Sequence, residues 1–327
     1  MNRKSIVKLI IATLIIVMIF ALAACAPAAE QVGEEEEREL TIGIVTLQMR
    51  APYFIDMVRA IEAAAAEYGN VRTIVVDAEG DVAAVDSAIE DLIAQRVDGL
   101  IMNISPIETL PGPMEAINEA GIPVVLVNRR FLGTGYDSWV GVDNLNTGAG
   151  VGAVIVETMG GRGNLLMIRG GPEDNHIGNA RRDGVLSQVE PTDIEVIFAP
   201  EFGGWTEDGG FSLMEDMLAK HPNIDAVFAE NDSMALGALK AIQDAGRADE
   251  INIFGFDGQR AALQLISEGT NFIATGLNSP SLIGPMGFNH LMAVIAGARR
   301  ANIDTVFPVT VITEENVMQY YDPESVF

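Results

Sequence analysis

Short β-branched runs alternate with helical stretches twice over, and this alternation narrows the possible folds more than any other feature. "ELTIGIVT" reads as a strand, and Tyr53 to Tyr68 carries helical periodicity closed by Gly69-Asn70. "VRTIVVD", a helix over Val82 to Arg96, "DGLIMN", a helix over Met114 to Ala120 and "IPVVLVN" follow in turn. The spacing suits repeated βαβ crossovers, and the strands are apolar on both faces, as a parallel sheet covered by helices requires. After the loop "RRFLGTGYD" the pattern restarts with "SWVGVD" and a helix from Asn144 to Met159. It runs on through "NLLMIRG", "IEVIFAP", "IDAVFAE", "INIFGFD" and "NFIATGL" with helices between them. A long helix over Leu282 to Ala298 and a last strand, "FPVTVIT", close the series. At 327 residues the chain exceeds what one compact core usually holds. The expected fold class is α/β, with two doubly wound parallel-sheet lobes in tandem.

The N-terminus reads differently. Arg3, Lys4 and Lys8 precede an apolar run from Leu9 to Leu22, and small residues lead into Cys25, the single cysteine, in "LAAC". A positive start, a short apolar core and small residues at the cut describe an export signal, expected over residues 1–24. A cysteine just after them is the lipoprotein pattern, so Cys25 is the expected lipid-attachment site, with more than one acyl chain for stable anchoring. An uncleaved membrane anchor is the alternative, though the run is short for a span. Residues 25–39, small and then acidic, read as a disordered tether. Either way the folded part is expected outside the cytoplasm, in the periplasm or at the cell surface.

The formal charge is −26, from 46 acidic against 20 basic residues, and loss of the leader makes it more negative. Such a chain repels nucleic acid and anionic lipid, so no nucleic-acid partner is expected. A lone cysteine at the anchor leaves neither disulfide nor thiol chemistry. His176, His221 and His290 are scattered, so no metal, cofactor or nucleophile–base set is expected.

In doubly wound sheets ligands sit at the carboxyl ends of strands. Here those positions hold Asn128 and Arg129, Asn231 and Asp232, Asp257, and Asn278. Tyr53 and Phe54 open the first helix, and Trp205 precedes the helix near Glu207. A sugar needs both kinds of group: amide, carboxylate and guanidinium for its hydroxyls, flat rings for its C–H faces. Structural roles compete at each position. Asn231 or Asp232 fits a helix N-cap, Asp257 in "FDG" fits a turn, and the aromatics fit a core.

The stretches "DAVFAENDSMALGALKAIQDAG" and "INIFGFDG", with "APYF", "AGIPVVLVNR", "VDNLNTG" and "IATGLNSPSLIG", carry a family likeness over about 40 to 315. The chain resembles the ribose-binding proteins and their relatives, the type I periplasmic sugar receptors of bacterial ABC importers. The resemblance implies two lobes joined by a three-strand hinge, with crossings near 142, 278 and 306. The lobes would be 40–142 with 279–306, and 143–278 with 307–327. It implies ligand contacts from Tyr53, Phe54 and Trp205 as stacking rings, and from Arg129, Asn231, Asp257 and Asn278 as polar partners. It also implies a monomer, an ABC permease with its ATPase as partners, and a small neutral sugar or polyol as ligand.

Departures from the family pattern bear on which ligand. Asn128 stands where the ribose receptors have an aspartate, and Ala51, Leu47 and Gln48 replace polar residues near the first helix. The family's second-lobe arginine aligns with Asn179, with Arg181 two residues on. Arg181 and His176 are therefore possible contacts, His176 standing equally for a solvent-facing side chain. These changes point away from ribose, toward another pentose, hexose or polyol.

Other classes fit less well. "GAGVGA" from Gly148 to Ala153 matches a dinucleotide fingerprint, but its glycines fall inside a helix and no acidic residue ends the next strand. Close helix–sheet packing accounts for them instead. A transcription regulator of similar fold would need a helix-turn-helix and a basic face. An extracytoplasmic receptor feeding a membrane sensor with a sugar-like signal of autoinducer type remains the alternative use of the same fold.

Overall fold

The computed structural model describes residues 38–46, 48–49, 51–104, 111–171, 176–298 and 304–327. The export signal, Cys25, all but the last two residues of the tether, and Leu47 lie outside the described residues.

The first lobe is built from β1 (Leu40–Thr46), α1 (Pro52–Tyr68), β2 (Val71–Asp77), α2 (Val82–Ala94), β3 (Gly99–Asn103), α3 (Pro111–Ala120), β4 (Val124–Val127) and β5 (Ser138–Val142). The second holds α4 (Asn144–Met159), β6 (Arg162–Arg169), α5 (Ile177–Val189), β7 (Asp193–Phe202), α6 (Glu207–Lys220), β8 (Ala226–Ala229), α7 (Asp232–Asp244), β9 (Asn252–Asp257), α8 (Arg260–Ser267) and β10 (Phe272–Leu277). Helix α9 (Pro280–Ile295) and β11 (Thr305–Phe307) return to the first lobe, and β12 (Val311–Thr313) joins the second. The strand orders are β11-β5-β4-β3-β1-β2 and β12-β10-β9-β8-β6-β7. All neighbours are parallel except β12, which runs antiparallel to β10. The run expected as one last strand is thus two short ones, β11 in one sheet and β12 in the other, with Pro308 at the break. Proline has no N–H to donate to a ladder.

Alternate residues of each strand feed opposite faces. Val125 and Val127 pack with Met57 and Ile61 of α1 and with Phe288 and Leu291 of α9. Val124 and Leu126 pack with Ile89 and Leu92 of α2 and Ile117 of α3. In the second lobe Leu165 and Met167 meet α4 and α5, while Leu166 and Ile168 meet α6 and α7. Each such side chain contributes about 1.5–3 kcal/mol when taken from water, so four covered sheet faces hold the two lobes without cross-links.

The chain passes between the sheets at Asp143, at Asn278-Ser279 and at 308–310. Two hydrogen bonds pin these passages: Leu277 N–H donates to Thr310 O (2.9 Å) and Asn278 N–H to Asp257 O (3.0 Å). Asp143 also caps α4, its side chain accepting from Asn146 N–H at 3.0 Å.

The glycines of "GAGVGA" lie inside α4. A Cβ on Gly148 would meet the Arg181 carbonyl oxygen at 2.3 Å, and one on Gly152 the Val185 backbone at 2.9 Å. Both therefore permit close helix–helix packing of α4 on α5. Gly150 alone faces a strand, through Val311.

Candidate functional site

The carboxyl ends of β4, β9 and β10 converge where the lobes meet, around a cavity of about 100 Å³. Its wall includes Tyr53, Phe54, Asn128 and Arg129 from the first lobe, and Arg181, Trp205, Asn231 and Asp257 from the second, with Asn278 at the passage between them. Gln48, Ala51, Ile177, Ser233 and Phe327 complete it.

Local sequence places each group. Pro52 supplies the preset φ of a first helical position, so α1 starts at once and its first turn carries Tyr53 and Phe54. Their rings meet edge to face at 5.8 Å. After β4 the chain makes a three-residue turn in which Arg129 N–H donates to Val127 O at 2.7 Å, with Asn128 at φ 62°. Trp139 Nε1–H holds the Asn128 carbonyl at 3.2 Å. Asn128 and Arg129 are each 7% exposed.

Of the five described non-glycine residues with positive φ, three line the cavity: Asn128, Trp205 (62°) and Asp257 (116°). Such conformations cost energy and persist only where their surroundings enforce them. For Asp257 the enforcing group is Asp232, fully buried at the start of α7. Its Oδ2 accepts from Gly258 N–H (2.8 Å) and Gln259 N–H (2.7 Å), and its Oδ1 from the Thr275 hydroxyl (2.8 Å). Burial, with Asp257 nearby, pushes the Asp232 carboxyl up to about 8 against the pull of these three donors. For Trp205 the enforcing groups are Asn231 and Gly170. Asn231 Nδ2–H donates to Trp205 O at 3.2 Å while Asn231 Oδ1 caps α7 through Met234 N–H at 3.0 Å. A Cβ on Gly170 would lie 2.0 Å from the indole, so the ring rests directly on backbone. Asn231 therefore caps the helix, fixes the aromatic wall and faces the cavity at once.

Arg181 is 2% exposed and crosses behind the cavity. Its Nη2–H donates to Asp257 Oδ1 (2.8 Å), Nη1–H to Glu230 O (2.6 Å) and Nε–H to Asn144 Oδ1 (2.9 Å), and the guanidinium lies 4.0 Å from the Phe256 ring centroid. Asn278 Nδ2–H donates to Asp257 Oδ1 at 3.1 Å and lies 3.4 Å from Asn128 Oδ1. The Tyr53 hydroxyl is buried beside the Asn278 side chain, and neither it nor Asn278 Oδ1 makes a hydrogen bond of ordinary geometry among the described residues. Burial first, then the Asp257 carboxylate, keeps that hydroxyl protonated far above the ordinary phenol range.

Asn179 is half-buried and does not line the cavity; Arg181 takes the place assigned to it from the alignment. Helix phase gives the reason. Helix α5 begins at Ile177, and residues four apart share a face, so Ile177 and Arg181 look inward together while Asn179 turns away. The wall consequently holds two guanidiniums, of Arg129 and Arg181, and one carboxylate, of Asp257. His176 is exposed and belongs to a separate depression beside Asn144 and Leu145. Ser233 sits one helical step past the Asn231-Asp232 pair; its hydroxyl donates to Gln259 Oε1 at 3.1 Å. Nothing in the chain's periodicity pointed to Phe327. Among the described residues no group of His, Cys, Asp and Glu could hold a metal ion, and no helix is long and apolar enough to cross a membrane.

Two α/β lobes, three passages between them and a cavity walled by both define a type I periplasmic binding protein. The family model described as "Periplasmic binding protein domain" matches residues 42–299, and the chain belongs to that family. It is 30% identical over 283 residues to the ribose import binding protein RbsB of Bacillus subtilis, covering 85% of this chain and 90% of that one. It is 30% identical over 237 residues to the D-apiose import binding protein of Actinobacillus succinogenes, covering 72% and 76%. Among solved structures, an ABC transporter solute binding protein from Bacillus halodurans C-125 with bound myo-inositol superposes with a TM-score of 0.80 at 26% identity, covering 88% of this chain and 98% of that one. These relatives are binding proteins, not enzymes.

Proposed function

We propose that the chain is the substrate-binding component of an ABC importer, which captures a neutral monosaccharide or polyol between its lobes and delivers it to the permease. It works outside the cytoplasm as a monomer, held at the membrane surface through lipid on Cys25. The "LAAC" string after a basic, apolar leader supports the anchor. Relatives named for ribose, D-apiose and bound myo-inositol support the ligand class.

The observation that carries this reading is the Tyr53 hydroxyl buried beside the Asn278 amide at the cavity wall, with neither that hydroxyl nor Asn278 Oδ1 in a hydrogen bond of ordinary geometry. Leaving a buried polar group unmade costs about 1–3 kcal/mol. A ligand hydroxyl both donates and accepts, so one such group can serve both atoms. The ring faces of Tyr53, Phe54 and Trp205 suit C–H surfaces, and Asn128, Arg129, Asn231, Asp257 and Asn278 suit paired hydroxyls. Arg181 acts on Asp257, orienting the carboxylate that meets the ligand. Closure about the three passages buries the ligand, which thereby stabilises the closed state.

A thermal-shift screen of the purified chain against pentoses, hexoses, polyols and nucleosides tests the proposal. A ligand at 100 times its dissociation constant stabilises the fold by about 2.7 kcal/mol. One strong response among sugars or polyols is expected. Silence across all of them, or a response only to a non-sugar signalling molecule, overturns the ligand class.

A further inference from the structure

The last eight residues lead across the cleft. Val317, in the short 3-10 turn Val317–Gln319, is 1% exposed in the core of the second lobe, and Tyr320 and Tyr321 pack against the same core. From there the chain runs over α8, where Arg260 Nη1–H donates to Pro323 O at 3.2 Å. It turns at Asp322, whose Oδ1 accepts from Glu324 N–H (2.9 Å) and whose carbonyl accepts from Ser325 N–H (3.1 Å). Residues 321–326 are exposed or half-exposed, with Val326 at 54%, yet Phe327 is only 6% exposed. Its ring meets Tyr53 of the first lobe edge to face, at 5.6 Å and 87°. A tail anchored on one lobe thus ends in a single buried aromatic on the other.

Phe327 lines both the 100 Å³ cavity and a space of about 470 Å³ whose wall includes Asp56, Ser281, Arg260, Glu324, Leu263 and Leu282. The larger space mixes hydroxyls, carboxylates and the Arg260 guanidinium with the apolar side chains Leu263, Leu277 and Leu282, a lining that suits a hydroxylated group with C–H surface.

On the reading of the smaller cavity as a sugar site, we propose that Phe327 is the partition that limits the ligand to a single ring or short polyol, by separating that cavity from the larger space it also lines. Removing the ring joins the two spaces and admits a ligand that continues beyond the first ring, such as a disaccharide or an alkyl glycoside. Phe327 is then a specificity-determining residue supplied by a segment with no regular structure.

Calorimetric titration of wild type and Phe327→Ala with a bound monosaccharide, its methyl glycoside and a disaccharide containing it tests the partition. The expected result is that the preference for the monosaccharide over the disaccharide falls at least tenfold in Phe327→Ala. Equal losses for all three ligands, or a wild type that already takes the disaccharide as tightly, overturn it. A wild type that binds no sugar overturns the receptor reading instead. In that case the crystal structure of Phe327→Ala decides the partition: one continuous cavity supports it, and a gap refilled by Val326 or Tyr53 contradicts it.

Discussion

Arg181 and Asp257 meet at 2.8 Å with side chains only 3% and 8% exposed, and this pair joins α5 to the end of β9 directly behind the cavity. Breaking a buried pair by removing one partner leaves a charge without compensation and costs about 3–5 kcal/mol. Asp257→Ala and Arg181→Ala are each expected to lower stability by that order in denaturant unfolding. The double substitution is expected to cost much less than the sum of the two, because neither charge is then stranded. Additive losses would show that the two groups are not coupled.

Trp205 stands on the bare backbone of Gly170. Gly170→Ala forces the indole outward, since the added methyl would sit 2.0 Å from the ring. The chain has two tryptophans, and the other, Trp139, is buried at 7% exposure in the first lobe, so emission can be assigned. Red-shifted emission and ligand binding weakened by about twofold to tenfold are expected, the loss of one well-packed aromatic contact being worth about 0.5–1.5 kcal/mol. An unshifted spectrum with unchanged affinity would remove Trp205 from the wall.

His290 on α9 lies 2.7 Å from the Ser138 hydroxyl through Nδ1 and 3.4 Å from that of Thr305 through Nε2, bracing the helix against both β5 and β11. Burial lowers its pKa below the ordinary 6.5. Below 6.5 the unfolded chain therefore binds a proton that the folded chain resists, so stability falls as pH drops from 6.5 toward the lowered folded value. Above 6.5 the histidine contributes no pH dependence. Melting temperatures of wild type and His290→Gln, compared between about pH 5 and 8, are expected to converge as the pH falls. Parallel curves would show that His290 is not the titrating group.

The alternation of β-branched runs and helices made both sheets legible, because strands buried on two faces must be apolar throughout. Ligand-facing positions such as Asn128 and Asp257 were legible because an open parallel sheet presents its strand ends to the cleft. Three features were not. Aligning by position set Asn179 where Arg181 lies, since only the helix start at Ile177 fixes which face turns inward. The "FPVTVIT" run reads as one strand, because it is apolar on both sides of Pro308; the crossing expected near 306 came from the family resemblance and not from the run's own pattern. Phe327 reaches the cleft through a tail held by carbonyl contacts and aromatic packing on α8, which leave no periodic trace.

The central claim is that this cavity grips a neutral hydroxylated ligand from both lobes, with Arg129 as the first lobe's polar partner. Isothermal titration of wild type and Arg129→Ala with the sugar or polyol that most raises the melting temperature tests it most directly. Hydrogen bonds to a charged group are worth about 1.5–3 kcal/mol, so the predicted result is a dissociation constant raised by roughly tenfold to a hundredfold at unchanged stoichiometry. Wild-type affinity in Arg129→Ala would contradict the account and move the binding site elsewhere on the molecule.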